Sequence, residues 1–327
     1  MENSNLNNKE PTYSSSLQEL PDFNIVDILN KLFMSKNFQD LKKFYSYFDN
    51  SAELITWMRN RPNGAAKIIE VEGDKDIIVV IPTANFEGKL AKKCKDEVFQ
   101  GLHVIFVESL KPYDPYFHLE RNVNIGIKKA LEYSPKWVVY SNDDVYKIDP
   151  PSKLQSLLSS LNESKYDVVF TTPSKYHSIP VRLSQSRLSR NILFALTRER
   201  RYQLFLERKF DVSYFSSPDY GLWKLFFKNG YKHLSIADFG IFSANYLISK
   251  KGILFDETYL NDTEDIDLSL GATYNQDRTI VISYRIGDMM GMTLGRGTVR
   301  AARGVAGYAY LNHKIKTNEV LSTRYLG

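Results

Sequence analysis

Between residues 22 and 60 the apolar positions recur every three to four residues. Ile25, Ile28, Leu29, Leu32 and Phe33 keep a helical period, and so do Leu41, Phe44, Tyr45 and Phe48. Each set lines one face of a helix, so this segment is predicted to be helical. Arg61-Pro62-Asn63-Gly64 ends it, because Pro and Gly break the helical backbone. From residue 76 the pattern changes to short, unbroken apolar runs. Ile77–Ile81 is β-branched and closed by Pro82, and His103–Val107, Trp137–Tyr140 and Asp167–Phe170 have a similar form. Such runs predict strands buried on both faces. Stretches at 87–99, 117–133 and 152–161 read as the intervening helices. Alternation of this kind implies right-handed crossovers and an α/β fold with a mainly parallel sheet flanked by helices.

Four regions follow from the pattern. Residues 1–21, rich in Asn and Ser, are expected to form a disordered tail. A helical N-terminal extension is expected over 22–75, an α/β domain over 76–300 and a C-terminal helical segment over 301–327. Within the domain, residues 172–235 break the strand–helix rhythm. Their basic stretch from Arg187 to Lys209 interleaves Ile192, Leu193, Phe194, Leu196, Leu204, Phe205 and Leu206. It reads either as an amphipathic helix for a membrane surface or a phosphate-bearing acceptor, or as a helix packed on the domain, and the second reading is favoured.

Composition narrows the classes. The single cysteine, Cys94, excludes an internal disulfide framework and a Cys-based zinc site. A formal net charge of +5 suits anionic partners without selecting one. No nucleic-acid-binding motif accompanies it, so nucleic acid is not an expected partner. No run of 18 apolar residues is present, and the start MENSNLNNKEPTYSSS lacks the basic and apolar parts of a signal peptide. A cytoplasmic protein is expected, with peripheral membrane contact left open by the basic stretch.

In a parallel sheet, ligands bind beyond the carboxyl ends of the strands. Three such ends are polar here: Pro82-Thr83-Ala84-Asn85, Glu108-Ser109 and Ser141-Asn142-Asp143-Asp144. Adjacent carboxylates repel, and a hard divalent cation held with substrate phosphates would relieve that repulsion; an Asx turn is the plainer reading. A second cluster has six acids between Asp256 and Asp267. Helix capping by Asp262 or Thr263 accounts for some of them. A carboxylate fixed at a helix start within a cleft can also act as a general base. The stretch Ser283–Gly297, followed by Arg300 and Arg303, is glycine-rich and basic, as a loop closing over phosphates would be.

Several of these segments resemble one family. IIVVIPTAN (77–85) resembles the opening strand of inverting GT-A glycosyltransferases of the family 2 type. Asn124-Ile125-Gly126-Ile127 is similar to their Asn-x-Gly-Ile helix segment, YSNDDV (140–145) to their DxD-type metal motif, and FDETYLNDTEDIDLSLGA (255–272) to their acceptor-side segment with its Glu-Asp pair. The resemblance spans residues 76–300 and keeps the family's order.

The resemblance implies a GT-A, Rossmann-like nucleotide-sugar-binding fold and a donor that is a nucleotide-diphosphate sugar. It implies a glycan, lipid-linked saccharide or protein hydroxyl as acceptor, and Mn²⁺ or Mg²⁺ as cofactor. By position, Asp265 would be the base and Glu264 would help to place the acceptor. Asp144 and Asp288 would hold the metal. Pro82, Thr83, Asn85, Glu108, Asn124, Asn142, Asp143 and Arg296 would line the nucleotide-sugar pocket. Asn142 stands where the family's DxD motif commonly opens with Asp, and Asp288 where many relatives carry His. A sugar-phosphate nucleotidyltransferase is one alternative, although the loop from Pro82 to Lys89 has a single glycine. A non-catalytic glycan or nucleotide-sugar binder on the same fold is another.

Overall fold

The computed structural model describes residues 25–109, 118–172, 181–183, 198–212, 216–218, 232–233, 235–236, 238–274, 277–289 and 297–317. The tail expected over 1–21 and most of the 172–235 region lie outside them.

The first described segment is helical, in three pieces: α1 (Ile25–Met34), α2 (Phe38–Ser46) and α3 (Ser51–Arg59). Asparagines start the second and third. Asn37 Oδ1 accepts from the Gln39 N–H at 2.9 Å, and Asn50 Oδ1 from the Glu53 N–H at 3.1 Å. Glu53 reaches back to the Asp49 N–H at 2.8 Å, so exposed helix-start donors are satisfied from both directions. The helical part ends at Arg59. Residues 66–71, expected within the extension, instead form a strand, β1 (Ala66–Val71). Its apolar residues are too few and too interrupted by Lys67 and Glu70 to read as a core strand, which is the character of a sheet edge.

The central sheet has seven strands. β2 (Asp74–Thr83), β3 (Leu102–Ser109), β4 (Trp137–Ser141), β6 (Val168–Thr171), β10 (Phe239–Ser243) and β11 (Thr279–Ile282) join β1 in the order β1-β3-β2-β4-β10-β6-β11. β2 pairs in parallel with β3 and β4, and β11 with β6; β1 and β10 run antiparallel to their neighbours. The sheet is therefore mixed but mostly parallel.

Alternate residues of the strands enter two cores. Ile77, Val79, Ile81, Val104, Phe106, Trp137 and Val139 face one side, with Leu154 and Leu158 of α6 (Pro151–Ser159) and with the helix α4 (Lys89–Lys93) and its π-helical continuation Cys94–Val98. Ile78, Val80, Ile105, Val107, Val138 and Tyr140 face the other, with Val123 and Ile127 of α5 (Leu119–Leu131) and Leu247 of α8 (Ala244–Ser249). Burial on both faces explains why β2–β4 read as unbroken apolar runs.

A third core lies beside the sheet. Phe33, Phe44, Tyr45, Trp57 and Met58 from α1–α3 pack with Leu206 and Phe210 at α7 (Arg198–Lys209), Leu270 of α9 (Glu264–Tyr274), and Val305, Ala309 and Tyr310 of α10 (Thr298–Lys316). The Tyr45 hydroxyl donates to the Ala302 carbonyl at 2.7 Å, with the Arg303 carbonyl at 3.1 Å. Arg303 in turn donates to the carbonyls of Phe33 and Ser35, at 3.0 and 2.8 Å, and so caps the end of α1. Over 198–209 the basic stretch is thus a helix packed on the protein, with Phe205 left exposed; its first part, 187–197, lies outside the described residues. Among the described residues no helix is long and apolar enough to cross a membrane.

Two small sheets complete the molecule. β5 (Val145–Lys147) pairs with β12 (Ile286–Asp288), and β7 (Val181–Leu183) lies between β8 (Ser216–Pro218) and β9 (Lys232–His233). α5 lies close on β2 and β3 at Gly126, where an added Cβ would sit 2.4 Å from Val80 Cγ1 and 3.0 Å from Val107 Cγ2. Overpacking of this kind costs about 1–3 kcal/mol. Gly126→Ala should lower the urea midpoint with an unchanged slope; an unchanged midpoint would show that the helix is free to shift.

Candidate active site

Because β2, β3 and β4 run parallel, their polar ends share one edge. Thr83 ends β2, Glu108 and Ser109 end β3, and Asn142-Asp143-Asp144 follows β4. The side chains there are already linked. Thr83 Oγ1 donates to Asp143 Oδ2 at 2.7 Å, and the Phe86 N–H donates to Glu108 Oε1 at 2.7 Å. Asn85 is exposed on the same loop and accepts from the Glu87 N–H at 3.0 Å. Pro82 is buried within β2, opposite Val107 of β3. Burial and then Asp144 push the Asp143 carboxyl up to about 6, against the Thr83 hydrogen bond.

Antiparallel β10 enters the sheet from this edge. Phe239 pairs with Ser141, which sets Asp238 beside Asn142. The Asn142 N–H donates to the Asp238 carbonyl at 2.9 Å, and Asn142 Nδ2 to Asp238 Oδ1 at 2.5 Å, while the Tyr140 hydroxyl donates to Asn142 Oδ1 at 2.7 Å. Asp238 escaped the sequence reading. It is a lone acid outside any cluster, and only the pairing of β10 with β4 reveals its position. Burial, followed by the nearby Asp288, Asp265 and Asp144, holds its carboxyl well above the usual range, with Arg300 opposing.

The two-strand ladder of β5 and β12 brings together acids that are far apart in sequence. Asp288 pairs with Val145, and the Met289 N–H donates to the Asp144 carbonyl at 2.9 Å. Asp144 and Asp288 therefore lie one register step apart across the ladder, 7% and 5% exposed. The approach depends on Gly287, where a Cβ would lie 2.1 Å from the Tyr146 ring. Two buried carboxylates are hard oxygen donors, and with diphosphate oxygens and water they suit Mg²⁺ or Mn²⁺. Among the described residues no group of three or more His, Cys, Asp or Glu side chains is placed to hold a metal ion by itself. Arg296 lies outside the described residues.

The six acids of 256–267 divide by their partners. Lys314 of α10 takes Asp256 and Asp267, at 3.0 and 2.6 Å. Burial opposes the charge on Asp256, but Lys314, the Thr258 N–H and the Tyr310 hydroxyl outweigh it and hold its carboxyl below the usual range. Glu257 accepts from Asn124 Nδ2 at 3.0 Å. Asp262 and Thr263 lie against Gly304 and Gly307 of α10, where Cβ atoms would approach Asp262 Oδ2 to 2.6 Å and Thr263 Oγ1 to 2.4 Å. Asn261 and Thr263 adopt left-handed backbone, at φ 57° and 82°, so the turn into α9 is strained. Glu264 and Asp265, which open α9, remain.

These two acids differ. Asp265 Oδ1 accepts from its neighbour's Ile266 N–H at 2.8 Å. Burial raises its carboxyl, while that hydrogen bond and Arg300 oppose the rise. Glu264 is 8% exposed, and Oε2 has no hydrogen-bond partner. Burial, then Glu120 and Asp265, hold its carboxyl well above the usual range.

Asn124 does not face the pocket that the resemblance implied. Its Nδ2 donates to the Phe255 carbonyl at 2.9 Å and to Glu257, and its Oδ1 accepts from the N–H groups of Leu254 and Phe255 at 2.9 and 3.1 Å. Both amide hydrogens and the carbonyl oxygen are engaged, which leaves nothing for a nucleotide. Comparison with protein-family models and with curated proteins returned no match.

Burial first, then Asp265, push the Asp262 carboxyl up to about 6, while Arg300 and Arg303 oppose the rise. A carboxyl raised in the folded state stabilises folding below its unfolded value and loses that contribution as pH climbs through the folded value. Asp262→Asn should therefore be more stable than the parent near neutral pH, by up to about 3 kcal/mol. The difference should shrink as pH falls from about 7.5 to about 4.5. Urea midpoints across that range check it, and a constant difference would refute the role of Asp262 ionisation.

Proposed function

We propose that this protein is a metal-dependent, inverting glycosyltransferase of GT-A architecture. It moves a sugar from a nucleotide-diphosphate sugar to a hydroxyl of a glycan, lipid-linked saccharide or protein. One observation carries the reading: the β5–β12 ladder places Asp144 and Asp288 one register step apart at the carboxyl edge of the sheet, and the same Asp238 feels Asp144, Asp288 and Asp265. A leaving-group half and an acceptor half, over a hundred residues apart in sequence, thus meet around one carboxylate.

The roles follow from the chemistry. Asp144 and Asp288 would hold Mn²⁺ or Mg²⁺, which when bound offsets negative charge on the diphosphate. Thr83, Asp143 and Glu108 shape the loop edge where the nucleotide rests. Asp265 takes the proton from the acceptor hydroxyl as its oxygen attacks the anomeric carbon. The bond from that carbon to the diphosphate oxygen breaks on the opposite face and the diphosphate leaves with the electron pair, so configuration inverts. The Arg300 charge favours an ionised Asp265, the form a base requires. Burial and Glu120 hold the Glu264 carboxyl well above the usual range, which makes it the weaker candidate for an ionised base.

Asp265→Asn should lower transfer by at least about a hundredfold while nucleotide-sugar binding stays within about twofold. Parallel loss of both would remove Asp265 as the base. Binding of the donor, followed by calorimetry, should tighten with Mn²⁺ or Mg²⁺, and Asp144→Asn should abolish the tightening. Metal-independent donor binding would contradict the metal assignment, and metal-dependent binding without transfer to any hydroxyl acceptor would favour a non-catalytic binder.

A further inference from the structure

The β5–β12 ladder sets the spacing of Asp144 and Asp288, yet it has little support of its own. Each strand has three residues, and an isolated pair of strands is marginally stable at best. The strands stand far apart in sequence, at 145–147 and 286–288, so no hairpin turn fixes their register. The register nevertheless decides the site. Residues paired across a ladder share a face, and a slip by one residue turns every side chain of a strand to the other face. Asp288 would then leave the face it shares with Val145, and Ile286 would leave the core that both Ile286 and Val145 enter.

Two features oppose such a slip. Gly287 stands opposite Tyr146, where a Cβ would lie 2.1 Å from the ring. A slip in either direction would bring Ile286 or Asp288, each with a Cβ, into that place. The second feature is buried Asp149, two residues beyond β5. Its N–H donates to the Arg285 carbonyl at 3.0 Å, and its Oδ2 accepts from the Arg285 N–H at 2.8 Å. Backbone and side chain thus grip the one residue that precedes β12. The Arg285 guanidinium closes the grip, with Nη2 3.0 Å from Oδ1 and Nε 3.4 Å from Oδ2. Lys153 Nζ donates to Oδ2 at 2.9 Å and ties the clamp to α6, whose Leu154 and Leu158 are core residues. Pro150 follows Asp149 and biases its backbone toward extended conformations. The Arg285 hydrogen bond, aided by Lys153 and the Arg285 N–H, holds the Asp149 carboxyl down to about 2 against burial, so the clamp stays charged near neutral pH. A slip of one residue shifts a strand by about 3.3 Å, enough to break these bonds.

We infer that Asp149 and Arg285 are positioning residues for the acid pair: their clamp fixes the register of β12 on β5 and so keeps Asp288 one step from Asp144. The two ends of the ladder are held by different bonds. Arg285 is gripped at one end, and at the other the Met289 N–H donates to the Asp144 carbonyl at 2.9 Å. A local ion pair would secure only the Arg285 end. A register lock is felt at the Asp288 end as well. The inference deepens the proposed metal site and rests on that reading only for its binding arm.

Three variants of the full chain test it. Asp149→Asn sets an amide donor against the donors of Arg285 and Lys153. Arg285→Met removes the guanidinium from an exposed position and keeps the backbone, while Arg285→Lys restores the charge without the two-pronged fit. Hydrogen exchange read at single amides should be faster at Met289 in Asp149→Asn and Arg285→Met than in the wild type, with the amides of β2 and β4 unchanged. Calorimetric titration with Mn²⁺ and inorganic pyrophosphate, which stands for the diphosphate, should show affinity weakened by roughly tenfold to a hundredfold in these two variants, as for residues that orient metal ligands from behind, and by less in Arg285→Lys. A Met289 amide that exchanges as in the wild type overturns the lock, and so does acceleration spread equally over β2 and β4. An affinity equal to that of a wild type that binds Mn²⁺–pyrophosphate overturns it too. Should Asp149→Asn fail to fold, Arg285→Met decides. A wild type that binds no Mn²⁺–pyrophosphate would refute the metal reading, and the exchange arm would still decide the lock.

Discussion

One buried amide holds two distant parts of the chain in register. Asn124, buried on α5, gives both hydrogens to the 255–257 segment and receives two backbone N–H groups from Leu254 and Phe255. Each buried backbone group left without such a partner costs about 1–3 kcal/mol. The segment leading to α9 therefore has a strong reason to lie along α5 and nowhere else. Glu120 repeats the arrangement one turn earlier on the same helix: its Oε1 accepts from the Asn261 N–H, and Asn261 Oδ1 accepts from the Leu119 N–H. Through these two side chains, the position of Asp265 relative to the strand edge is set by α5, which itself stacks on β2 and β3.

Charge is the second constraint. The edge of the sheet and the 256–267 segment collect more acids than local cations can match. The balance comes from α10: Lys314 sits between Asp256 and Asp267, and Arg300 and Arg303 act on Asp262. Removing Lys314 would break its pairs with Asp256 and Asp267, and breaking a buried pair in this way costs about 3–5 kcal/mol, so α10 is an electrostatic counterpart to the acid segment as well as a packing surface. The acids that α10 leaves uncompensated, with Asp144, Asp238 and Asp288, surround the proposed reaction centre.

Much of this was legible from residue order alone. β2, β3, β4 and β6 announce themselves because burial on both faces leaves an unbroken apolar run, and α1–α3 and α5 because one face keeps a 3.6-residue period. Asn142–Asp144 and Glu264–Asp265 stand out as dense acids at element ends. What stayed hidden depends on partners remote in sequence. β5 and β12 have three residues each, too few for a period, and exist only by pairing. β10 is short and follows the region of broken rhythm, so Asp238 gave no signal. Glu120 looks like an ordinary acid complementing a helix start, and only its complete burial distinguishes it. Asn124 carried a polar signal correctly noticed but wrongly aimed, because an amide that braces a loop and one that binds a nucleotide look alike in a string.

The third core has a consequence for how the molecule is made. Its partners are α1–α3, the earliest described helices to leave the ribosome, and α10, the latest. Tyr45 and the carbonyls ending α1 wait for residues 302 and 303, and Asp256 and Asp267 wait for Lys314. Chain emerging in N-to-C order would thus carry an aromatic, incompletely sheltered set of helices until α10 is made, with its acids preceding their cations. Contacts of such wide sequence separation form late and expose apolar surface meanwhile. Assembly of the candidate site and completion of this core therefore both await α10, and a nascent chain short of it would leave apolar surface exposed and the acids without their cations.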